Sequence, residues 1–245
     1  MPRFAFTEAL DENRASFAEN EFQHQIKVLR KQSGDLLQFL DGRGIQYKGR
    51  IITIDNRKKW FQVEIIETRR YQPHLPLHLA VALPKGGKLD TIIQKAVELG
   101  VTKITPLITE RTEVRLNTVK KISARAAHWQ KSAIASIKQS GNPYLPEIVE
   151  PQMVTQLQLE PATKDSKRVV FHPSAENISF LRELDLNKSN TVTLALGPEG
   201  GFSKAEIRHL KTLSFLPVGL GKRILRLETA VVSALTLTQY FRNSF

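Results

Sequence analysis

The sequence Thr191-Val192-Thr193-Leu194-Ala195-Leu196-Gly197-Pro198-Glu199-Gly200-Gly201 decides the fold that this chain can adopt. Its first half has the apolar, β-type composition of a buried strand. The glycines that follow let the backbone adopt positive φ or approach a ligand closely. Pro198 disfavours helix at the residue before it, so the strand must turn there. The stretch therefore predicts a strand that ends in a ligand-binding turn.

A second stretch repeats this plan further along the chain. Leu216-Pro217-Val218-Gly219-Leu220-Gly221 predicts another strand with a glycine turn, and residues 227–241 have the apolar composition of a buried helix. Ser203 and Glu206 have the spacing of a capping box, which predicts that a helix starts there. Two glycine turns that each lead from a strand into a helix predict a ligand crevice at the carboxyl edge of an α/β sheet.

Residues 74–245 as a whole alternate between strand and helix patterns, which predicts a parallel, doubly wound sheet. Near-continuous apolar runs are typical of parallel strands that are buried on both faces. Gly100 stands where a helix would end in a left-handed residue. Besides the two glycine turns, the predicted strands lie at 77–83, 103–108 and 168–171, and the predicted helices at 89–99 and 119–138.

Residues 1–73 have a different pattern, with several short strand signals separated by turns. Asp41-Gly42 is a hairpin signal between two of them. Apolar and polar residues alternate at 61–65, as they do in a half-buried strand. The segment therefore predicts a small β-barrel. Pro73 and Pro76 mark a boundary, so two domains are expected, at 1–73 and 74–245.

The charge of the chain favours a polyanionic partner, and nucleic acid is the commonest one. The formal net charge is +12 and the sequence pI is about 10.0. Residues 1–73 carry a net charge of +3 and the remainder carries +9. Residues 103–138 alone hold eight basic and two acidic side chains, enough for a groove that follows a phosphate backbone. The alternative is that these residues form the solvated faces of ordinary helices.

Several classes of protein are disfavoured by features that the sequence lacks. It contains no cysteine, which excludes disulfides and thiolate metal sites. The apolar runs are too short for a membrane span, and the first residues do not form a signal peptide, so we expect a cytoplasmic protein without a membrane partner. The six histidines show no metal-ligand spacing, and residues 85–88 lack the spacing of a phosphate-binding loop. Trp129 lies on an apolar helix stripe, where a core position is expected.

The two glycine turns, read together at 197–203 and 220–230, resemble the signature of the RsmE family. These proteins are S-adenosylmethionine-dependent methyltransferases that modify a uridine at ring nitrogen 3 in small-subunit (16S) ribosomal RNA. The resemblance covers the whole chain, with further matching blocks at 95–101, 109–112, 129–131, 139–141 and 146–148. The chain departs from the family pattern at Asn142, where an arginine is expected, and at Lys138, where an acidic residue is common.

The resemblance implies a fold as well as a reaction. It predicts a SPOUT-type parallel sheet whose C-terminal segment forms a trefoil knot, preceded by a PUA-like RNA-binding β-barrel. It also implies a homodimer whose partner is small-subunit ribosomal RNA in the assembled subunit. No internal periodicity indicates a knot, and knots are nearly absent from proteins in general, so this expectation depends on the family alone.

The resemblance also implies which residues bind S-adenosylmethionine, without a metal ion. The glycine turns would surround the donor with backbone groups and apolar walls. The implied cofactor-binding residues are Leu196, Gly197, Glu199, Gly200, Gly201, Leu220, Gly221, Ile224, Leu225 and Arg226.

The uracil ring nitrogen must lose a proton before it can attack the methyl group, and negative charge then spreads onto the flanking oxygens. A guanidinium can stabilise that charge, and Arg226 is the candidate. Glu199 and Glu228 are the candidate bases. Each also has a structural explanation, because an acidic residue in the first turn of a helix is favoured by the helix dipole, as for Glu228, and Glu199 could brace its own loop.

Two other functions remain open at the level of sequence. One is a SPOUT methyltransferase that acts on another position, such as a ribose hydroxyl, or on another RNA. The other is a non-catalytic RNA-binding protein with a degenerate cofactor site. A small-molecule enzyme of α/β class fits less well, because it would explain neither the β-rich N-terminal segment nor the charge of +12.

Overall fold

The computed structural model describes residues 4–112, 119–173, 184–186 and 189–242. Contacts between Cα atoms divide the chain into two compact units. The first contains Met1–Pro73 together with Ile134–Leu145, and the second contains His74–Ala133 together with Pro146–Phe245. The grouping of 134–145 with the first unit is not indicated by the sequence, which predicts one continuous domain from residue 74.

The first unit contains a sheet of six strands in its described residues, in the order β1-β4-β5-β6-β3-β2. The pairing is antiparallel except between β1 and β4. A short helix, α1, covers Glu19–Phe22 and continues as a π-helix at Gln23–Val28. The strands are β1 (Ala5–Phe6), β2 (Leu10–Asp11), β3 (Arg14–Ala18), β4 (Leu36–Leu40), β5 (Ile45–Asp55) and β6 (Trp60–Arg70).

Aromatic residues on alternate positions of these strands form the core of the first unit. The rings of Phe17 and Phe61 stack with centroids 4.8 Å apart, and those of Phe39 and Tyr47 stack at 5.0 Å. Phe39 and Phe61 are fully buried. The predicted alternation at 61–65 is confirmed, since Phe61 and Val63 are buried and lie on one face of β6. Closure of the sheet into a barrel stays a prediction.

Residues 134–145 complete this unit through hydrogen bonds to its strands and turns. The Gly44 amide donates to the Pro143 carbonyl (2.9 Å), and the Leu145 amide donates to a carbonyl of the 41–44 turn (2.9 Å). The hydroxyl of Tyr144 donates to the carbonyl of Tyr71 (2.8 Å). A Cβ at Gly44 would lie 2.2 Å from that hydroxyl, and the residue has a φ of +96°, so only glycine fits there.

The second unit is built on a parallel sheet, which confirms the α/β class. Its strand order in the described residues is β10-β8-β7-β12-β11-β13, with β9 also paired to β8. The strands are β7 (Leu77–Ala82), β8 (Lys103–Ile108), β9 (Glu147–Ile148), β10 (Gln152–Met153), β11 (Ser166–Phe171), β12 (Thr191–Leu196) and β13 (Leu216–Val218). The helices are α2 (Leu89–Glu98), α3 (Val119–Ser140), α4 (Lys204–Thr212) and α5 (Leu227–Phe241), and the part of α3 from Ile134 onward belongs to the first unit. Among the described residues, no helix has the length and apolar character needed to cross a bilayer.

The helices pack on this sheet through the predicted apolar residues. The stripe on α2 is buried, and Gly100 ends that helix with a φ of +74°. Trp129 of α3 is 2% exposed, so its predicted core position is confirmed. A further cluster of buried residues joins the sheet to α4 through Ala195, Leu210 and their neighbours.

A polar row crosses the sheet near the amino ends of its strands. The strand registers align Lys103, His78, Thr193 and Arg168 across β8, β7, β12 and β11. The His78 ring is 7% exposed, and its Nε2 lies 2.8 Å from the hydroxyl of Thr105. Burial, followed by the positive charges of Lys103 and Arg168, lowers the pKa of His78 to about 4.

This pKa predicts a pH-dependent loss of stability. In the unfolded chain His78 has its ordinary pKa of 6.5. The unfolded state therefore binds a proton that the folded state does not bind between pH 6.5 and 4, and stability falls as the pH falls through this window. The free energy of unfolding falls by about 3 kcal/mol across this pH window.

A His78→Gln variant isolates this contribution, because an amide can still bond Thr105 but does not titrate. Denaturant unfolding of wild type and variant from pH 7.5 to pH 4 should show the wild type losing stability relative to the variant by about 3 kcal/mol. A gap between the two proteins that does not change with pH would contradict the prediction.

Candidate functional site

A cleft lies where β11, β12 and β13 end, beside the first turn of α5. It has a volume of about 640 Å³, counting the space that opens to solvent. Because these strands are parallel and adjacent, the turns that follow them meet at one edge of the sheet. The cleft is lined by Phe171, His172, Pro173, Leu196, Gly197, Pro198, Glu199, Gly201, Leu220, Gly221, Arg223, Ile224, Leu225, Leu227 and Ala230.

Most residues predicted to bind the cofactor line this single cleft, although their contact with a cofactor stays a prediction. They are Leu196, Gly197, Glu199, Gly201, Leu220, Gly221, Ile224 and Leu225. Gly200 and Arg226 are not among the lining residues. The carbonyl of Gly200 accepts a hydrogen bond from the Arg111 guanidinium. Arg226 is exposed at the N-cap of α5, in extended conformation (φ −64°, ψ 151°).

The first glycine turn is folded tightly on itself. The Gly201 amide donates to the Pro198 carbonyl at 2.7 Å, and Gly201 has a φ of +70°. A Cβ at Gly197 would lie only 3.0 Å from the backbone nitrogen of Phe202. The positive φ of Gly201 therefore favours glycine, a side chain at Gly197 would crowd the turn, and the turn presents backbone groups to the cleft.

Glu206 fixes the first glycine turn to the chain that follows β8. The predicted capping box is confirmed: the Ser203 hydroxyl accepts from the Glu206 amide (3.3 Å), and Glu206 Oε2 accepts from the Ser203 amide (2.7 Å). The second carboxylate oxygen of Glu206, Oε1, accepts from the amide of Glu110 at 2.8 Å. Together with the bond from Arg111 to Gly200, this contact ties residues 109–112 to the turn.

The second glycine turn leaves space on the side of the cleft. Gly221 has a φ of +105°, and a Cβ built on it would meet no atom within 4 Å. The side chain of Ile224 lines the cleft while remaining 85% exposed. A ligand in the cleft would therefore bury this apolar side chain, which is a favourable change.

Some lining residues were not indicated by the sequence. Phe171, His172 and Pro173 line the cleft because β11 lies between β12 and β13 in the sheet. The His172 amide donates to the Val218 carbonyl at 3.0 Å and holds the ends of β11 and β13 together. Arg223 also lines the cleft, whereas Arg226, a predicted cofactor-binding residue, does not. The order of the strands in the sheet places Phe171, His172 and Pro173 at the cleft, and no local sequence pattern indicates that order.

The two candidate bases have different surroundings. Glu199 is exposed, lines the cleft, and makes no hydrogen bond or ion pair with any residue that the structure describes. Glu228 lies in the first turn of α5, with Oε1 3.3 Å from Nζ of Lys88. The pKa of Glu228 is lowered, first by its own backbone amide and then by Lys88 and Arg226, against the opposing effect of burial. A lowered pKa makes Glu228 a weaker base at neutral pH.

A Glu228→Gln variant should retain methyl-transfer activity if this carboxylate only stabilises the helix start. Because its folded pKa is below the ordinary 4.5, Glu228 stabilises the fold above that pH, and the contribution is lost as the pH falls through the folded value. We expect the variant to lose up to about 1 kcal/mol at pH 7, measured by denaturant unfolding. A large loss of turnover with normal stability would instead identify Glu228 as the base.

Groups of three or more histidine, aspartate or glutamate side chains that could hold a metal ion are absent from the described ranges. The cleft itself is lined by backbone groups, apolar side chains, one carboxylate, one guanidinium and one imidazole. Such a lining suits an organic ligand with both apolar and polar parts.

Comparison with known proteins identifies the family. Residues 71–239 match the RNA methyltransferase domain family, and residues 17–66 match the RNA methyltransferase PUA domain. A ribosomal RNA small subunit methyltransferase E from Buchnera aphidicola (strain Sg) is 34% identical over 98% of this chain and 96% of its own length. The chain belongs to the ribosomal RNA small subunit methyltransferase E family. The protein of that name from Bacillus subtilis is 30% identical over 92% of this chain and 89% of its own.

Two solved structures have the same fold over nearly the full length of this chain. The Neisseria gonorrhoeae methyltransferase E, bound to S-adenosyl methionine, is 28% identical with a TM-score of 0.83, covering 98% of this chain and 97% of its own. A methyltransferase from Legionella pneumophila, in complex with the same cofactor, is 30% identical with a TM-score of 0.85 and 98% coverage of both chains.

The departures from the family pattern have local explanations in the first unit. The Lys138 ammonium forms a largely buried ion pair with Glu21. The Asn142 side-chain oxygen accepts from the Tyr144 amide at 3.0 Å, and the Asn142 amide donates to the Ser140 hydroxyl at 3.2 Å. Asn142 therefore shapes the turn that ends α3, which is a role that an arginine would not fill.

Proposed function

We propose that this protein transfers the methyl group of S-adenosylmethionine to ring nitrogen 3 of a uridine in small-subunit ribosomal RNA. The observation that carries the proposal is the single cleft that both glycine turns share, in a chain of the methyltransferase E family. The cofactor-bound structures of relatives support the choice of donor. The charge of +12 supports an RNA substrate.

The residues of the cleft fit this donor. Leu196, Leu220 and Leu225 would offer apolar walls to the donor, and the tight turn at Gly197 and Gly201 would offer it backbone groups. The open space beside Gly221 leaves room for a ligand against the backbone. When bound, S-adenosylmethionine supplies an electrophilic methyl group on a positively charged sulfur.

The protein must then deprotonate and orient the uracil. The N3 proton leaves to a base, the nitrogen lone pair forms the new bond to the methyl carbon, and the carbon–sulfur bond breaks with its electrons going to sulfur. Glu199 is the better-placed base, since it lines the cleft without a partner among the described residues. The exposed guanidinium of Arg226 would stabilise charge on the uracil oxygens.

The larger architecture is part of the proposal. Residues 1–73 would form the PUA-like barrel that binds RNA, and residues 74–245 the SPOUT methyltransferase domain with a C-terminal trefoil knot. The protein would act as a cytoplasmic homodimer on the assembled small subunit. The match of residues 17–66 to an RNA methyltransferase PUA domain supports the first part.

The test is transfer of labelled methyl from S-adenosylmethionine to unmodified small ribosomal subunits, followed by nucleoside mass spectrometry. 3-Methyluridine is the expected product. If another methylated nucleoside forms, the protein is a methyltransferase but its target is not uridine N3, as in the alternative of a SPOUT methyltransferase with a different target. Absence of both transfer and donor binding would favour the non-catalytic RNA-binding protein.

A further inference from the structure

A second concave surface lies at the opposite edge of the parallel sheet from the cofactor cleft. It is formed by the amino ends of β11 and β13 and the last turn of α4, with a volume of about 1020 Å³ counting the space open to solvent. Four basic side chains line it: Lys164, Lys167, Arg168 and Lys211. The described residues that line it include no acidic side chain. We call these four residues and their surface the basic pocket.

Arg168 is the unusual member of the basic pocket, because its charge is buried. It is 9% exposed, and burial lowers its pKa. Its guanidinium donates to the carbonyls of Leu213 (2.8 Å) and Glu160. No carboxylate in the described part of the chain forms an ion pair with it. These two bonds pair one N–H group on each terminal nitrogen but leave the net charge of the guanidinium, whereas buried charges are normally paired with an opposite charge.

The three lysines add positive charge to the same surface. Lys164 and Lys211 are exposed and Lys167 is half-buried, and none forms an ion pair with a described residue. Lys211 also continues a row of basic residues at helical spacing along the exposed side of α4, after Lys204 and Arg208. Uncompensated like charges around a concave surface repel one another, and a bound polyanion would remove that repulsion.

We propose that the basic pocket binds the phosphodiester backbone of the RNA substrate, an inference that rests on the proposed function. The first residue of β11 lies at this pocket and its last lies at the cofactor cleft. Five steps of about 3.3 Å each along the strand separate these two residues by roughly 17 Å. At about 3.4 Å per stacked nucleotide, the contacted phosphates would lie about five nucleotides from the methylated base.

The experiment compares two double variants that remove the same charge. Lys167→Ala with Lys211→Ala removes unpaired lysines of the basic pocket. Lys95→Ala with Lys103→Ala removes lysines of the second unit that are already paired, with Glu98 at 2.8 Å and Glu147 at 3.2 Å. Binding of labelled small-subunit ribosomal RNA is measured over a series of salt concentrations, and donor affinity is measured by calorimetry.

The first variant should bind RNA about tenfold more weakly at low salt, with a salt dependence whose slope is smaller by about 1.4 to 1.8, as expected for two lost phosphate contacts. The control should retain the wild-type slope, and both should bind S-adenosylmethionine normally. If the first variant keeps the wild-type salt dependence while the wild-type protein methylates subunits, RNA binding at the basic pocket is rejected and the proposed function stands. Failure of wild type to methylate subunits would reject the proposed function first.

Discussion

Gly221→Val is expected to abolish binding of S-adenosylmethionine while the protein remains folded. Gly221 lines the cleft, its φ is +105°, and the space where a Cβ would stand holds no protein atom within 4 Å. A branched side chain would fill that space and force the turn to a different conformation. We expect the dissociation constant to rise at least about a hundredfold, which corresponds to roughly 3 kcal/mol, measured by calorimetry.

Gly34→Val is the matched control for backbone strain. Gly34 lies in a turn of the first unit with a φ of +98°, and a Cβ there would also meet nothing within 4 Å. Both variants should lose about 1 to 3 kcal/mol of stability through the same unfavourable φ. Only Gly221→Val should lose the donor. Normal donor binding by Gly221→Val would show that the second glycine turn is not part of the cofactor site.

Arg226→Ala should reduce turnover sharply and leave donor binding near normal. Arg226 is exposed beside the cleft but is not one of its lining residues, so it is available to the nucleotide rather than to the cofactor. Removing a group that stabilises developing negative charge reduces kcat by about 100- to 1,000-fold. Single-turnover methyl transfer at saturating S-adenosylmethionine measures this effect, and Arg226→Lys should recover part of the rate.

Arg223→Ala provides the opposite expectation. Arg223 lines the cleft, so its loss should weaken donor binding about tenfold, equivalent to roughly 1.4 kcal/mol, and change kcat little once the donor is saturating. The two variants together separate the roles of neighbouring arginines. Loss of donor binding in Arg226→Ala would instead make Arg226 a cofactor residue, as the family resemblance also allows.

Long elements with clear periodicity were predictable from the sequence. The strand at Lys103–Ile108 and the helix at Leu227–Phe241 have the predicted bounds, because apolar patterns and turn residues delimit them locally. Short strands such as Ala5–Phe6 and Glu147–Ile148 depend on a partner strand for their existence, so no local pattern marks them.

The candidate site was predictable where its residues are adjacent in sequence. The composition of the sequence indicates the glycine turns, and the spacing of Ser203 and Glu206 indicates the capping box. The contacts that hold the first turn in place join residues far apart in the chain: Arg111 to Gly200, and Glu110 to Glu206. Spacing cannot indicate such pairs, since sheet order decides which strand ends become neighbours. The position of His172 at the cleft was not predictable for the same reason.

The hydrogen bonds between residues 134–145 and the first unit impose an order of events on synthesis. When Pro73 leaves the ribosome, the segment that binds Gly44 and Tyr71 has not yet been made. At about 5 to 20 residues per second, roughly 4 to 14 seconds pass before residue 145 follows. During that interval the strands of the first unit exist without their last partner. Until residues 134–145 have been synthesised, the first unit is therefore incomplete and exposed to chaperones and proteases.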